Sequence, residues 1–251
     1  MAEKSVREIG EMETRCEDCA LFSLCFAQEV SEEERSELNR WLKRGQPVAR
    51  GEHLFHEGQN IKSVRVVRSG SVKSYQLSAN GDEIVSGFYL PGEIIGIDGL
   101  SGQKHNGFAV ALEESRTCDI PFRDFMSMLD KSPKLNQVML RLLSEEMAET
   151  RELLLVVGRL DARTRVALFL LSMSRRLARR RQDPDQFRLT MDRRDIANYL
   201  GLTIETVSRT LSAMQREGII EVRGKLVSLV DRSELEHQAA QAHPESRRAT
   251  G

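Results

Sequence analysis

Four cysteines are the residues of this chain best suited to chemistry beyond simple contact. Three lie close together as Cys16-x2-Cys19-x5-Cys25, and the fourth, Cys118, lies far along the chain. Three thiols within ten residues of a polar segment do not read as ordinary core cysteines. Thiolates bind soft metals, and four sulfurs satisfy either a zinc ion or an iron–sulfur cluster. Zinc sites often use two C-x2-C pairs; only one is present, which tilts the reading toward iron and sulfide without closing it. Redox thiols are a further option, and a heme held by Cys or His is a weaker one. Structural disulfides are not expected, because residues 1–14 are polar and charged, lack the apolar stretch of a secretion signal, and leave the cytoplasm as the expected compartment.

A second group of residues fits nucleic-acid chemistry. Residues 192–218 read DRRDIANYLGLTIETVSRTLSAMQREG. Asp192 is placed to cap a helix carrying Ile196, Ala197 and Leu200. Gly201 breaks that helix and suits the positive φ of a tight turn. Thr203 is placed to cap a second helix with the apolar stripe Ile204, Val207, Leu211 and Met214. Two short helices joined through a glycine turn make a helix-turn-helix. Its second helix would expose Thr203, Glu205, Thr206, Ser208, Arg209 and Ser212. Arginine can fork onto guanine, glutamate can accept from the cytosine amino group, and serine can serve either base. Strand-like pieces at 219–222 and 225–230, joined by Arg223-Gly224, supply a wing.

Other elements must carry these groups. Ser31 and Glu34 form a capping box ahead of a short amphipathic helix over 31–44. From Pro47 to Pro121 short apolar runs (64–67, 72–77, 84–90, 94–97 and 108–112) alternate with turn signals such as Asn80-Gly81 and Pro91-Gly92. That spacing predicts a small antiparallel β-barrel or sandwich, which places Cys118 at the end of the β-rich part. Residues 133–160 predict a helix about 40 Å long at 1.5 Å per residue. Its apolar positions, Leu135, Val138/Met139, Leu142/Leu143, Met147, Leu153/Leu154 and Val157, alternate in steps of three and four, the seam of a coiled coil. Such a helix is longer than a barrel of this size can cover, so a two-fold homodimer seam through Leu143, Met147, Thr150, Leu154 and Val157 is expected. Thr150 is a polar residue on that stripe. A further helix spans 161–180, its basic run Arg175-Arg176 and Arg179–Arg181 being a solvated face or a phosphate contact, and residues 182–187 read as a loop.

Composition sets the outer limits. The chain has 251 residues, 40% hydrophobic and 30% charged, with a net charge of −1. That charge is unevenly placed: residues 159–251 carry a net +6 and residues 1–158 a net −7. A basic C-terminal part beside an acidic remainder fits one nucleic-acid-binding module. No run of 18 apolar residues is present, so no membrane span is expected. No GxSxG, HExxH, P-loop or Rossmann pattern occurs, so an enzyme is not expected. His53 and His56, beside Glu57, read as surface residues rather than metal ligands.

Through the strings EIVSGFYLPGEIIGID and FRLTMDRRDIANYLGLTIETVSRTL and the cysteine spacing, nearly the whole chain resembles the Crp/Fnr regulators, and within them the Fnr (fumarate and nitrate reduction) oxygen-sensing branch. The resemblance implies an α+β fold: an N-terminal cyclic-nucleotide-binding-like β-barrel (a double-stranded β-helix), a long dimerisation helix and a C-terminal winged helix-turn-helix. The expected segments are 1–30 for the cysteines, 31–132 for the barrel, 133–160 for the dimerisation helix and 161–251 for the DNA-binding domain. The resemblance also implies one oxygen-labile 4Fe–4S cluster per subunit on Cys16, Cys19, Cys25 and Cys118. It implies base reading by Glu205, Ser208 and Arg209 at near-palindromic TTGAT-like sites on double-stranded DNA, with activation or repression of transcription. An RNA polymerase contact is implied around Asn80–Asp82. A zinc-stapled or thiol-redox regulator of the same fold is the alternative.

Two departures stand out. In the Fnr branch an acidic residue often occupies the place of Thr150, so this dimer is expected to persist more readily without its cluster. Cyclic nucleotide binding would need an Arg-Ser pair after the Gly92-Glu93 turn, and the matching stretch reads Lys104-His105-Asn106-Gly107-Phe108. Cyclic nucleotide is therefore not expected.

Overall fold

The computed structural model describes residues 15–240, with the side chains at 152, 155–157 and 159 outside the description. Contacts divide the chain at Leu77/Ser78, Val85/Ser86 and Glu145/Glu146 into two compact units.

The first unit begins with two short 3-10 turns, Phe22–Leu24 and Phe26–Gln28, and then helix α1 (Glu32–Trp41). Ser31 Oγ accepts from the Glu34 N–H at 3.2 Å, and Glu34 accepts from the Ser31 N–H at 2.7 Å, which is the capping box the sequence spells. The helix stops at Trp41 rather than at Arg44. Lys43–Arg44 instead form strand β1, because they pair with Asp119 and Cys118, and that tertiary pairing outweighs the local helical pattern.

Seven more strands follow: β2 (His53–Phe55), β3 (Ser63–Ser69), β4 (Val72–Leu77), β5 (Glu83–Tyr89), β6 (Ile94–Ile95), β7 (Phe108–Ala111) and β8 (Arg116–Pro121). They form two four-stranded sheets, β1-β8-β3-β6 and β2-β7-β4-β5. Leu54, Phe55, Val67, Val72, Ile95, Ala109 and Ala111 form one core of this barrel. Successive strand residues face opposite ways, so Val67 enters that core while Val66 enters a second one. The second core joins Phe26, Leu38, Val66 and Ile120 to Phe125 of helix α2 (Phe122–Lys131), an element the sequence reading did not separate. Phe26 and Phe125 meet edge to face at 6.2 Å.

Helix α3 (Pro133–Arg159) divides the expected seam in two. Leu135, Val138 and Met139 are buried in the second core of their own unit, so they are not seam residues. Beyond them Leu140 (65% exposed), Leu143 (37%), Met147 (56%) and Leu154 (68%) form an outward apolar stripe. Thr150 is exposed on the same stripe and its hydroxyl donates to the Glu146 carbonyl at 2.8 Å, so its polar atom is satisfied within the helix. The side chain of Val157 lies outside the described residues.

The second unit holds α4 (Ala162–Arg179), β9 (Gln186–Arg188), α5 (Arg193–Leu200), α6 (Ile204–Arg216), β10 (Ile220–Arg223), β11 (Leu226–Leu229) and α7 (Arg232–Ala240). The 182–187 loop therefore ends in a strand: β9 pairs with β11 and extends the two-stranded wing to the order β10-β11-β9. Phe187 is buried there, and one apolar residue in so short a run carries no period to read.

Candidate metal centre and nucleic-acid interface

The cysteines come from three places in the first unit. Cys16 and Cys19 precede the first 3-10 turn, Cys25 joins the two turns, and Cys118 lies on β8. The segment is wound as consecutive turns: the Cys19 N–H donates to the Cys16 carbonyl (3.1 Å), Phe22 N–H to the Cys19 carbonyl (2.9 Å), and Gln28 N–H to the Cys25 carbonyl (3.0 Å). Asn39 on α1 anchors its start, accepting the Cys16 N–H at 2.8 Å. Leu24 seats the segment on the Pro91-Gly92 turn. Gly92 has φ +93, and a Cβ there would stand 3.0 Å from the Leu24 Cβ, so both the turn and the close approach call for glycine.

All four cysteines line one pocket of about 620 Å³, its open mouth included. Phe22, Phe26, Leu38, Val66 and Ile120 give it apolar walls, and Arg15, Arg44 and Arg68 are its basic groups. Burial pushes the Cys16 thiol up to about 11, with Cys118, Cys19 and Glu17 adding to the shift and Arg35 opposing it. Burial pushes Cys25 up to about 12, with the other three thiols adding to it. Burial likewise raises Cys118 to about 11, opposed by Arg68 and Arg44. These thiols are neutral at pH 7 in the metal-free chain, so a metal that takes them as thiolates must displace protons.

Among the described residues no three Cys, His, Asp or Glu side chains are gathered so as to hold a single metal ion. A tetrahedral zinc ion at about 2.3 Å from each sulfur would draw the four thiols into a tight knot. Arg68 Nη2 is buried beside the thiols without a hydrogen-bond partner, so the pocket would offer an unused positive donor to an anionic sulfur-ligated group.

The histidines behave differently. His53 and His56 stack at 4.6 Å, His53 Nε2 is 2.8 Å from the Tyr75 hydroxyl, and Phe108 packs against both rings. That is an aromatic cluster rather than a ligand set. His105, where a nucleotide-binding barrel of this family would carry its Arg-Ser pair, is buried and stacked on Phe55 at 3.6 Å. The Glu93 carboxylate accepts the Leu90 N–H at 2.9 Å.

In the second unit α5 and α6 form the helix-turn-helix. Asp192 and Asp195 form a reciprocal cap on α5, Gly201 ends that helix at φ +61, and Thr203 Oγ1 accepts the Thr206 N–H at 3.2 Å. Val207, Leu211 and Met214 are buried, while Glu205, Ser208, Arg209 and Ser212 are exposed. Residues 205, 208, 209 and 212 recur at i, i+3, i+4 and i+7, which places them on one helix face. The other two expected DNA contacts, Thr203 and Thr206, lie at the N-terminus of α6 with their hydroxyls 2.9 Å apart, and the Thr203 hydroxyl also caps the helix. Ile204 opens α6 at 38% exposure rather than inside the core. Sequence reasoning also missed Arg165. Its Nη1 donates to the Leu200 and Gly201 carbonyls at 3.0 and 3.3 Å and its Nε to Leu160 at 2.8 Å, so it fastens the end of α5 and the turn to the start of α4. A lone arginine on a helix surface carries no sequence signal of that role.

Comparison with known proteins gives a consistent assignment. Residues 164–238 match the Crp-like helix-turn-helix domain family and residues 46–132 the cyclic nucleotide-binding domain family. The chain is 40% identical over 227 residues to the electron transport regulator A of Shewanella oneidensis, covering 90% of this chain and 91% of that one. It is 39% identical over 226 residues to the fumarate and nitrate reduction regulatory protein of Escherichia coli strain K12, with 90% of each chain covered. Among solved structures, FixK2 from Bradyrhizobium japonicum is 30% identical with a TM-score of 0.73, over 78% of this chain and 96% of that one. These relatives are transcription regulators rather than enzymes. With a β-barrel, a long helix and a winged helix-turn-helix in that order, and with this identity over nine-tenths of its length, the chain belongs to the Crp/Fnr family of transcription regulators, in its Fnr-type branch.

Proposed function

We propose that this chain is an oxygen-responsive transcription regulator of the anaerobic response. Cys16, Cys19, Cys25 and Cys118 hold one 4Fe–4S cluster per subunit, and the loaded homodimer binds near-palindromic, TTGAT-like DNA sites, activating or repressing transcription. The observation that carries the reading is that the lone distant cysteine, Cys118, lines the same apolar pocket as the N-terminal three. When bound, the cluster would supply a sulfur-ligated link that oxygen destroys. Through it Cys16, Cys19 and Cys25 tie their segment to β8.

That segment shares a core with the root of α3. Phe26, Ala27 and Val30 pack in one cluster with Leu135, Val138 and Met139, and Leu142 lies against it. Arg141 of α3 adds an exposed ion pair to Glu29. Fixing the segment thereby biases how α3 presents Leu143, Met147, Thr150, Leu154 and Val157 to a second copy. Coupling is reciprocal: whatever favours the dimer by holding the segment must be favoured by the dimer in turn. Two recognition helices then engage two half-sites one DNA turn apart, with Glu205, Ser208 and Arg209 on the base edges. Thr203 and Thr206 act on the frame of that helix.

The β4–β5 turn at Asn80–Asp82, ordered by Ser78 accepting the Asn80 and Asp82 N–H groups, is offered as the surface for RNA polymerase. Cyclic nucleotide is not a ligand in this reading, since His105 fills the place of the phosphate-binding pair. No helix among the described residues is long and apolar enough to cross a membrane.

The test is DNA binding by anaerobically reconstituted protein before and after air, with iron and sulfide assayed in parallel. Expected are bound iron and sulfide, brown colour, and a marked loss of affinity after air. Equal affinity in both states sinks the oxygen response, and colourless protein carrying zinc sinks the cluster.

A further inference from the structure

Arg68 stands in an unusual place on β3. Val66 pairs with Cys118 and Val67 with Thr117, but the register then shifts and Ser69 pairs with Arg116, which leaves Arg68 as the extra residue of a β-bulge. Bulges re-aim a side chain and recur beside functional sites. The bulge interrupts the strand alternation at Arg68, and its side chain lines the cysteine pocket together with Val66 and Cys118. Its Nη2 is buried with no hydrogen-bond partner. A buried charged donor left unsatisfied carries its full desolvation penalty, so such a group calls for an explanation.

The nearby carboxylate does not provide one. Asp119 accepts from Arg65 Nε at 3.2 Å and from the Thr117 hydroxyl at 2.6 Å, on the opposite face of β8 from Cys118. A second guanidinium approaches from the other side: Arg44 on β1 pairs directly with Cys118 and also lines the pocket. Cys118 is therefore flanked by two arginines, one of them held by a bulge with a donor unused. Four thiolates bring four negative charges into an apolar pocket, and hydrogen bonds and charge near the sulfurs set the potential of a sulfur-ligated iron group.

We propose that Arg68 is the dedicated electrostatic partner of the group bound by the four cysteines, supplying its free donor and its charge on the Cys118 side. The proposal rests on the 4Fe–4S reading for the identity of that group. Within it, Arg68 retards oxidation of the bound group and holds its potential up.

The test uses the full chain as wild type, Arg68→Met and Arg68→Lys. Three readouts are compared: midpoint potential after anaerobic reconstitution, half-life of the visible absorbance in air, and Co2+ affinity of the reduced, metal-free protein. Expected for Arg68→Met are a lower potential, a half-life shortened about tenfold and Co2+ binding weakened by a similar factor, the usual scale for losing an outer partner of a metal site. Arg68→Lys, which keeps the charge without the fork, is expected to fall between. Wild-type values of all three in Arg68→Met overturn the proposal. If Arg68→Met does not fold by circular dichroism, Arg68→Lys decides by the same criteria, wild-type values again overturning it. If the wild type takes up Co2+ but neither iron nor sulfide, the cluster reading fails on its own and Arg68 is judged by Co2+ affinity alone. If the wild type takes up neither, both fail.

Discussion

The side-chain oxygen of Asn39 accepts the backbone N–H of Cys16 at 2.8 Å, while the Asn39 amide donates to the Glu17 carboxylate at 2.9 Å. One residue of α1 thus fixes the start of the cysteine segment by both ends of its amide. Asn39→Ala is expected to cost about 1 kcal/mol of local stability and to lower the iron retained after anaerobic purification. Amide hydrogen exchange should rise at 16–25 and stay unchanged in the β2-β7-β4-β5 sheet. Iron retention equal to wild type, with unchanged exchange, would show that the segment does not need this anchor.

Thr150 lies midway along the outward stripe of α3 with its hydroxyl turned back onto the Glu146 carbonyl. It brings neither a charge nor an unsatisfied donor to a two-fold seam. The metal-free protein is expected to sediment as a detectable fraction of dimer at micromolar concentration. Thr150→Asp would set two carboxylates face to face and shift it to monomer. A metal-free wild type that is strictly monomeric under those conditions refutes this.

On the recognition helix, Arg209→Ala is expected to lose about 1–3 kcal/mol of discrimination, confined to one base-pair position of each half-site. Glu205→Ala should relax a different position. Arg165→Ala removes the bonds that tie the α5 C-terminus to α4 and should weaken binding to all sites alike, together with a lower thermal midpoint of the second unit. Titrations against single-base variants of a palindromic site separate the patterns: a uniform loss for Arg209→Ala would remove it from the base-reading set.

His105 gives the first unit a weak acid sensitivity. Burial holds its pKa below the usual 6.5, helped by repulsion from Arg65 and opposed by Asp98. The folded chain therefore binds this proton less readily than the unfolded chain. The associated stability is present above pH 6.5 and is lost as pH falls from there through the lower folded value. Urea midpoints should decline over that window, and His105→Phe, which keeps the stack on Phe55, should flatten the decline. An unaltered slope in His105→Phe would assign the acid response to other groups.

Local signals carried much of the architecture. Ser31 with Glu34, Asp192, Gly201 and Thr203 are caps and breakers whose action needs only the backbone within a turn or two, so they were legible directly. The 3.6-residue period likewise separated buried Val207, Leu211 and Met214 from exposed Glu205, Ser208 and Arg209. The long-helix stripe was legible as apolar but not as to its partner. Periodicity places Leu135 and Leu143 on a stripe without saying that the first enters its own core and the second faces outward.

The cysteines mark the limit most clearly. Residue type and spacing alone pointed to Cys16, Cys19 and Cys25 as candidate ligands and left iron–sulfur, zinc and redox thiols open, because thiol chemistry serves all three. Spacing said nothing of Cys118, which entered by resemblance; that it lines one pocket with the other three, that Asn39 anchors Cys16 and that Arg68 stands beside them with an unused donor came only from tertiary structure. Asn39 reaches Cys16 from a helix 23 residues along the chain, and the pairing of Arg44 and Val66 with Cys118 and the bulge at Arg68 depend on strand register between segments distant in the chain. No local rule specifies such a pairing; it is set where two sheet faces bury their apolar residues together.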